Sequence, residues 1–264
     1  MTRVMIKGAG DLATGVAQAL QRAGMEILLT EIAQPLTVRR GAALSQAVFE
    51  KATQVEDLQG RLAEDLPTAL RIIEDGKIPV LVDPDMRSRA GFRPHVLCEA
   101  TLSKKNSGFS QDLAPITIAL GPGFYAGHDA HVVVETKRGH DLARLIYRGE
   151  ALPDTGEPGL IAGFSSERLL RATAEGQFNQ VRRIGDLVQA GEIIAYCGTT
   201  PLIATIKGCL RGLLQQGLIV KPGMKVGDID PRCTPDACFS ISDKSRAIGG
   251  AVLVAIMQGL RKCK

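Results

Sequence analysis

Gly8, Gly10 and Ala13 stand in "IKGAGDLATGVA" (6–17) at the spacing G-x-G-x-x-G/A. Each position has a physical use in a dinucleotide site. Gly8 permits a tight turn, Gly10 lets main chain approach a pyrophosphate, and Ala13 lets a helix pack on a strand. The amides at a helix start favour a bound anion. Glu31 closes the next apolar run at the distance at which an acid accepts from ribose hydroxyls. Asp11 follows the second glycine directly, where its charge repels a pyrophosphate or calls for a cation. Arg39 and Arg40 come next and suit a 2′-phosphate or another anion through bidentate bonds, or a solvated basic turn. These seven residues form the candidate cofactor site, for a nucleotide or dinucleotide of NAD(P) or molybdopterin-dinucleotide type.

Three further segments carry polar chemistry. In "LVDPDMRSR" (81–89), Asp83 and Asp85 suit a salt-bridged turn better than a metal. "GPGFYAGHDAHVVVETKRGHDLAR" (121–144) carries His128, His131 and His140. Nothing in their spacing puts the three on one face, so no metal is assigned. Arg138 and His140 are read as anion or substrate contacts, with His140 the candidate acid or base of a redox reading. "DIDPRCTPDACFSISDKSRAIGG" (228–250) places Asp230 and Arg232 in a turn and Cys238 shortly before a helix. The helix start, Lys244 and Arg246 would lower the thiol pKa and make Cys238 a nucleophile; the alternative is a small buried hydrophobe. Asp230, Arg232 and Lys244 join Arg138 as candidate substrate or anion contacts.

The elements that must position these residues follow from periodicity. Apolar runs at 3–7, 26–31, 78–83, 95–100, 115–121 and 130–136 read as strands. Helical patterns at 11–24 and 66–76 end on Gly24 and Gly76. The first thirty residues make a β-α-β unit. Together they predict an α/β chain whose N-terminal part is a Rossmann-like, mostly parallel sheet covered on both faces. Pro and Gly cluster in "RGEALPDTGEPGLIAG" (148–163), which sets the expected division into domains 1–150 and 151–264. Beyond it, short Val/Ile/Leu strands between Gly-Asp and Pro-Gly turns predict a smaller β-rich barrel or sandwich-like domain, closed by a helix at 242–260 that Ser242 or Asp243 caps. "GDLVQAGEIIA" and "GLIVKPGMKVGDI" read as an internal quasi-repeat of the kind seen in lipoate- and biotin-carrying domains. The hairpin "CGTTPL" (197–202) has no Lys, so a carrier role is not expected.

Composition narrows the classes. The chain has 264 residues, of which 45% are hydrophobic and 23% charged, as in ordinary globular proteins. Aromatic content of 4%, without Trp, and a net charge of +4 argue against a nucleic-acid surface. The apolar stretch 247–260 is too short to span a bilayer, and residues 1–7 lack the apolar core of a signal peptide. A cytoplasmic, non-membrane protein with reduced thiols is therefore expected. The six Cys, at 98, 197, 209, 233, 238 and 263, include no CxxC pair, so neither a zinc ribbon nor a dedicated redox carrier is expected. A homo-oligomer is left open.

Taken together, "GAGDLATGVA", "VRRG", "SQAVFE", "ALGPGFYAGHDAHVVVETKRGHDLAR", "PDTGEPG", "GDIDPR" and "ISDKSRAIGGAVL" resemble the YqeB-like family across nearly the whole chain. These are accessory proteins of selenium-dependent molybdenum hydroxylase systems. The resemblance implies a helper in maturation of such an enzyme, with the hydroxylase apoenzyme as partner and with cofactor or selenium handling as its work; selenium transfer would need Cys238 as acceptor. Two other readings follow from the residues alone: a stand-alone NAD(P)-dependent oxidoreductase, and a structural scaffold whose nucleotide pocket is empty.

Overall fold

The structure is a computed structural model that describes residues 1–156 and 159–262; Cys263 and the Glu157–Pro158 step of "PDTGEPG" lie outside the described residues. The chain divides into two compact units. The first is Met1–Pro35, Ala43–Thr155 and Ile241–Lys264; the second is Leu36–Ala42 and Gly156–Ser240.

The first unit is built on a nine-stranded sheet. Its strands are β1 (Arg3–Lys7), β2 (Glu26–Glu31), β3 (Ala52–Val55), β4 (Leu58–Ala63), β5 (Ile78–Val82), β6 (Val96–Glu99), β7 (Ile116–Leu120), β9 (Val132–Val134) and β10 (Leu145–Ile146). A separate antiparallel pair joins β8 (Tyr125–Ala126) to β11 (Gly149–Glu150). The sheet order is β10-β9-β7-β6-β1-β2-β5-β4-β3. Every pair from β9 to β4 is parallel, and the outermost strands β10 and β3 are antiparallel. Strand order thus runs one way from β1 to β2 and β5, and the other way to β6, β7 and β9.

Period-2 alternation sorts the strand side chains onto two covered faces. Val4, Ile6, Leu29, Cys98 and Ile118 pack on one face with α1 (Asp11–Arg22). Met5, Leu28, Leu97, Ala119 and Val133 pack on the other, with Phe92, Phe124 and Ala69. Ala69 belongs to α3 (Leu66–Glu74), which follows the short α2 (Ala47–Glu50) and precedes the short α4 (Arg89–Phe92). Helix α3 starts where Asp65 accepts from Thr68 N at 2.8 Å, the bond of a capping side chain.

The last helix, α5 (Asp243–Lys262), is capped by Ser242, whose Oγ accepts from Ser245 N at 3.1 Å. It belongs to the first unit, whereas the sequence placed it in the second domain. Its Ile248, Val252, Ala255 and Ile256 are buried in the α1 face of the sheet. Contact with α1 is close: a Cβ on Gly15 would lie 2.5 Å from Ser245 O, and one on Gly249 would lie 2.4 Å from Gly15 O.

The second unit carries β12 (Leu169–Arg171), β13 (Gly176–Gln180), β14 (Leu187–Val188), β15 (Ile193–Cys197), β16 (Thr200–Ile203), β17 (Gly208–Leu213), β18 (Ile219–Val220) and β19 (Lys225–Asp230). They form two four-stranded antiparallel sheets, β12-β19-β17-β14 and β16-β15-β13-β18. The two look-alike phrases take matching places in opposite sheets. One supplies edge strand β14 and inner strand β15; the other supplies edge strand β18 and inner strand β19. Segment Leu36–Ala42 also joins this unit, with Leu213 N bonded to Val38 O at 2.9 Å. The domain boundary therefore departs from the single cut at 150 because two pieces of chain find their partners across long sequence separations.

Candidate functional site

The carboxyl end of β1 is the best-formed candidate. Gly8 turns at φ +94°, and a side chain there would press on the Ala100 backbone at 3.2 Å. Gly10 is the extended residue that begins α1 and supplies no capping side chain. Asp11 lies in the first turn, and Ala13 is fully buried against the sheet. Gly8, Gly10, Asp11 and Ala13 thus come together in a strand-turn-helix corner. That corner lies where the sheet order reverses between β1 and β6.

Glu31 also arrives at this corner, but its carboxylate is used by the protein. Oε2 accepts from Ala9 N at 2.9 Å and Oε1 accepts from Ile32 N at 2.8 Å. Burial pushes its pKa up; the two amide bonds oppose that rise, and the nearby charge of Glu99 adds to it. Ser45 N donates to Ala9 O at 2.8 Å, and Leu44 N donates to Thr14 Oγ1 at 2.9 Å, so segment 43–46 sits against the turn.

Two neighbouring glutamates were not singled out by the sequence reading. Glu99 ends β6, is 2% exposed, accepts from Thr101 N at 2.7 Å and lies 3.7 Å from Lys7 Nζ. Glu135 follows β9 and accepts from Lys137 N at 2.7 Å and Leu152 N at 2.8 Å. The signal for both was present: an acid closing an apolar run, as in "HVLCEA" and "HVVVET". Asp83 plays the same part after β5, accepting from the amides of Arg87 and Ser88 and from Ser88 Oγ. Arg87 reaches Asp85 at 3.2 Å, which makes this the salt-bridged turn that the residue types suggested. The carboxyl edge of the sheet is lined by acids that satisfy main-chain amides.

The remaining candidates are divided between the two units. Arg39 and Arg40 belong to the second unit. Arg39 Nη2 donates to Ala237 O at 3.3 Å and Ser240 O at 3.4 Å; Arg40 donates to Leu213 O at 2.7 Å and Gln215 Oε1 at 3.0 Å. Main-chain carbonyls and the Gln215 side chain of the second unit thus accept from these guanidiniums. Arg138 makes a bidentate pair with Asp243 at 2.7 and 2.8 Å, which ties its loop to the start of α5. His140 is exposed on the same loop, His131 Nδ1 is 2.7 Å from Thr117 Oγ1, and His128 is 3.0 Å from Asp129. Lys244 lies in the first turn of α5, in the first unit. Asp230 and Arg232 lie in the second, so the four candidate anion contacts are divided between units.

Within the second unit, Arg232 binds Asp230 through Nε at 2.9 Å and Nη2 at 2.6 Å. Burial works to raise the Asp230 pKa, but the bonds and charge of Arg232 outweigh it and hold the group at about 2. Asp228 is buried between Arg168, at 3.1 Å, and Arg211, whose Nε is at 2.7 Å. Cys238 is fully buried, and burial raises its pKa above the ordinary value against the opposing charges of Arg39 and Arg211. The residue read as a nucleophile thus sits in a buried place that shifts its thiol upward rather than down. Its Sγ lies 3.5 Å from that of Cys209.

Among the described residues, no helix is long and apolar enough to cross a membrane. No family model matches the chain. The chain is 45% identical over 265 aligned residues to the uncharacterized protein YqeB of Escherichia coli strain K12, which covers 99% of this chain and 49% of that protein. It therefore spans about half the length of the curated relative it matches. Solved structures give weak likenesses. An aspartoacylase family protein from Mesorhizobium loti is 11% identical, with 86% and 84% of the two chains covered and a TM-score of 0.30. The ectoine utilization protein EutE from Ruegeria pomeroyi is 12% identical, with 81% and 61% covered and a TM-score of 0.23. Neither likeness carries an argument about chemistry.

Proposed function

We propose, for a chain that is YqeB-like along nearly its whole length, that it is an accessory protein in the maturation of a selenium-dependent molybdenum hydroxylase. On this reading the first unit is Rossmann-like and seats a nucleotide or the dinucleotide end of a molybdopterin-type cofactor at the 8–13 turn, and the hydroxylase apoenzyme is the partner. One observation carries the ligand part: α1 begins on a glycine, without a capping side chain, at the point where the strand order reverses. Such a corner is where open parallel sheets bind phosphates. The fit is one-sided. The phosphate half is open to an anion in its chemistry, while Glu31, the residue suited to ribose hydroxyls, is bonded to Ala9 and Ile32. This favours a ligand held by its phosphates over a nicotinamide dinucleotide gripped at the ribose.

The test is native mass spectrometry of the freshly purified chain, followed by titration with NAD, NADP, ATP and CTP. Asp11→Asn removes a negative charge from the first turn of α1 and is expected to tighten an anionic ligand about two- to fivefold, as charges at helix ends act with about 0.3–1 kcal/mol. No binding by either protein across the panel overturns the ligand site. That outcome selects the scaffold reading, which a specific observation favours: Glu31 and Ser45 already close the turn with protein groups.

A further inference from the structure

We propose that Cys209 and Cys238 form an oxidisable dithiol in the second unit, closing to a disulfide with a low-molecular-weight disulfide as the oxidant. The pairing is absent from the local sequence, because the two lie 29 positions apart. It arises because inner strand β17 carries Cys209 and the single turn Pro235–Cys238 folds back over that strand. Their sulfurs are 3.5 Å apart, and bonding requires about 2.05 Å. Closing that gap displaces only weak contacts. Cys209 Sγ is 3.4 Å from Gly185 O, and Cys238 Sγ is 3.9 Å from Leu210 O.

Access comes through the turn. The segment is held by long hydrogen bonds: Cys233 N to Asp230 O at 3.3 Å, Ala237 N to Thr234 O at 3.2 Å, Phe239 N to Asp236 O at 3.2 Å, and Arg39 to Ala237 O at 3.3 Å. Such a segment opens locally at low cost while the sheets stay paired. Once it opens, Cys238 sheds its proton, and its thiolate attacks one sulfur of R–S–S–R. RS⁻ leaves and takes up that proton, giving Cys238–S–S–R. Cys209, deprotonated in turn, attacks the Cys238 sulfur, and the second RS⁻ leaves as RSH. The protein loses two electrons and two protons, and the reagent becomes two thiols. In the closed state burial and the neighbouring thiol push Cys209 up to about 12, so exchange waits for the turn to open.

The test is incubation of the native full chain with excess glutathione disulfide, then quenching with acid, denaturing alkylation and peptide mapping. The expected product links the peptide of Cys209 to that of Cys238, is reversed by dithiothreitol, and forms equally in C233A, which lacks the partly exposed thiol of the same loop. C209A is expected to accumulate a mixed disulfide of glutathione on Cys238. The wild-type map needs no variant to decide the matter. Full alkylation of Cys209 and Cys238 after a day of exposure overturns the proposal. So does a map in which Cys98 or Cys197 joins links as often as the proposed pair.

Discussion

Glu31 shows how one side chain can be read rightly in place and differently in role. Its position at the end of β2 follows from an apolar run that stops on an acid. The donors it meets are set by the fold, and both are main-chain amides of the turn and its own strand end. Its folded pKa lies above the ordinary value of 4.5, with burial the first cause. The native state therefore holds more protons there than the unfolded chain, and stability falls as pH rises from about 4.5 through the raised value. Glu31→Gln is expected to flatten that decline. It also places an NH₂ group against an amide donor, at a cost of about 1–3 kcal/mol. Urea titrations between pH 4 and 8 check both effects; parallel pH profiles for the two proteins would count against this account. Asp230 behaves oppositely. Held at about 2 against an ordinary 3.8, it contributes stability above 3.8 that is lost as pH falls toward 2.

At the scale of elements, the helix pair α1 and α5 rests on small residues at close approach. Gly15→Ala is expected to destabilise by about 1–3 kcal/mol, because the added methyl meets Ser245 O at 2.5 Å and backbone must move. Gly250 lies in the same stretch of α5 with open space around it, so Gly250→Ala is expected to be neutral or to stabilise by up to about 1 kcal/mol. Denaturant midpoints of the two variants give the comparison; equal losses would remove the packing explanation. The parallel strands of the first sheet other than β4 were legible because they are mostly apolar runs, and β1 and β2 match their runs end to end. The partner of α5 was not legible. Its apolar face suits any sheet, and the choice is made by Gly15 and Gly249, which lie far apart in sequence and meet only in the fold. The Cys209–Cys238 contact escaped notice for the same reason. The unit that Leu36–Ala42 joins was not legible because "TVRRG" carries no composition shift; the bonds of Val38, Arg39 and Arg40 to second-unit residues show it.

At the scale of the molecule, the chain passes between its two units four times, near residues 35, 42, 155 and 240. A fragment 1–155 lacks the helix that packs on α1, β7 and β9 and buries Ile248, Val252 and Ile256 in the same core. It is expected to show no sharp cooperative transition in urea, and joining residues 241–262 through a flexible linker is expected to restore one. A fragment 1–155 that unfolds cooperatively on its own would refute that place for α5.

The return of α5 also sets an order in time. Synthesis runs from the N-terminus, so the first unit's strands leave the ribosome long before the helix that seals their α1 face. All of residues 156–240 must be made in between, an interval on the order of ten seconds at ordinary elongation rates. For that interval one face of the growing sheet is an open apolar surface. The second unit, which has its own sheets, can finish folding while the first, begun earlier, waits for the twenty residues of α5 to be made.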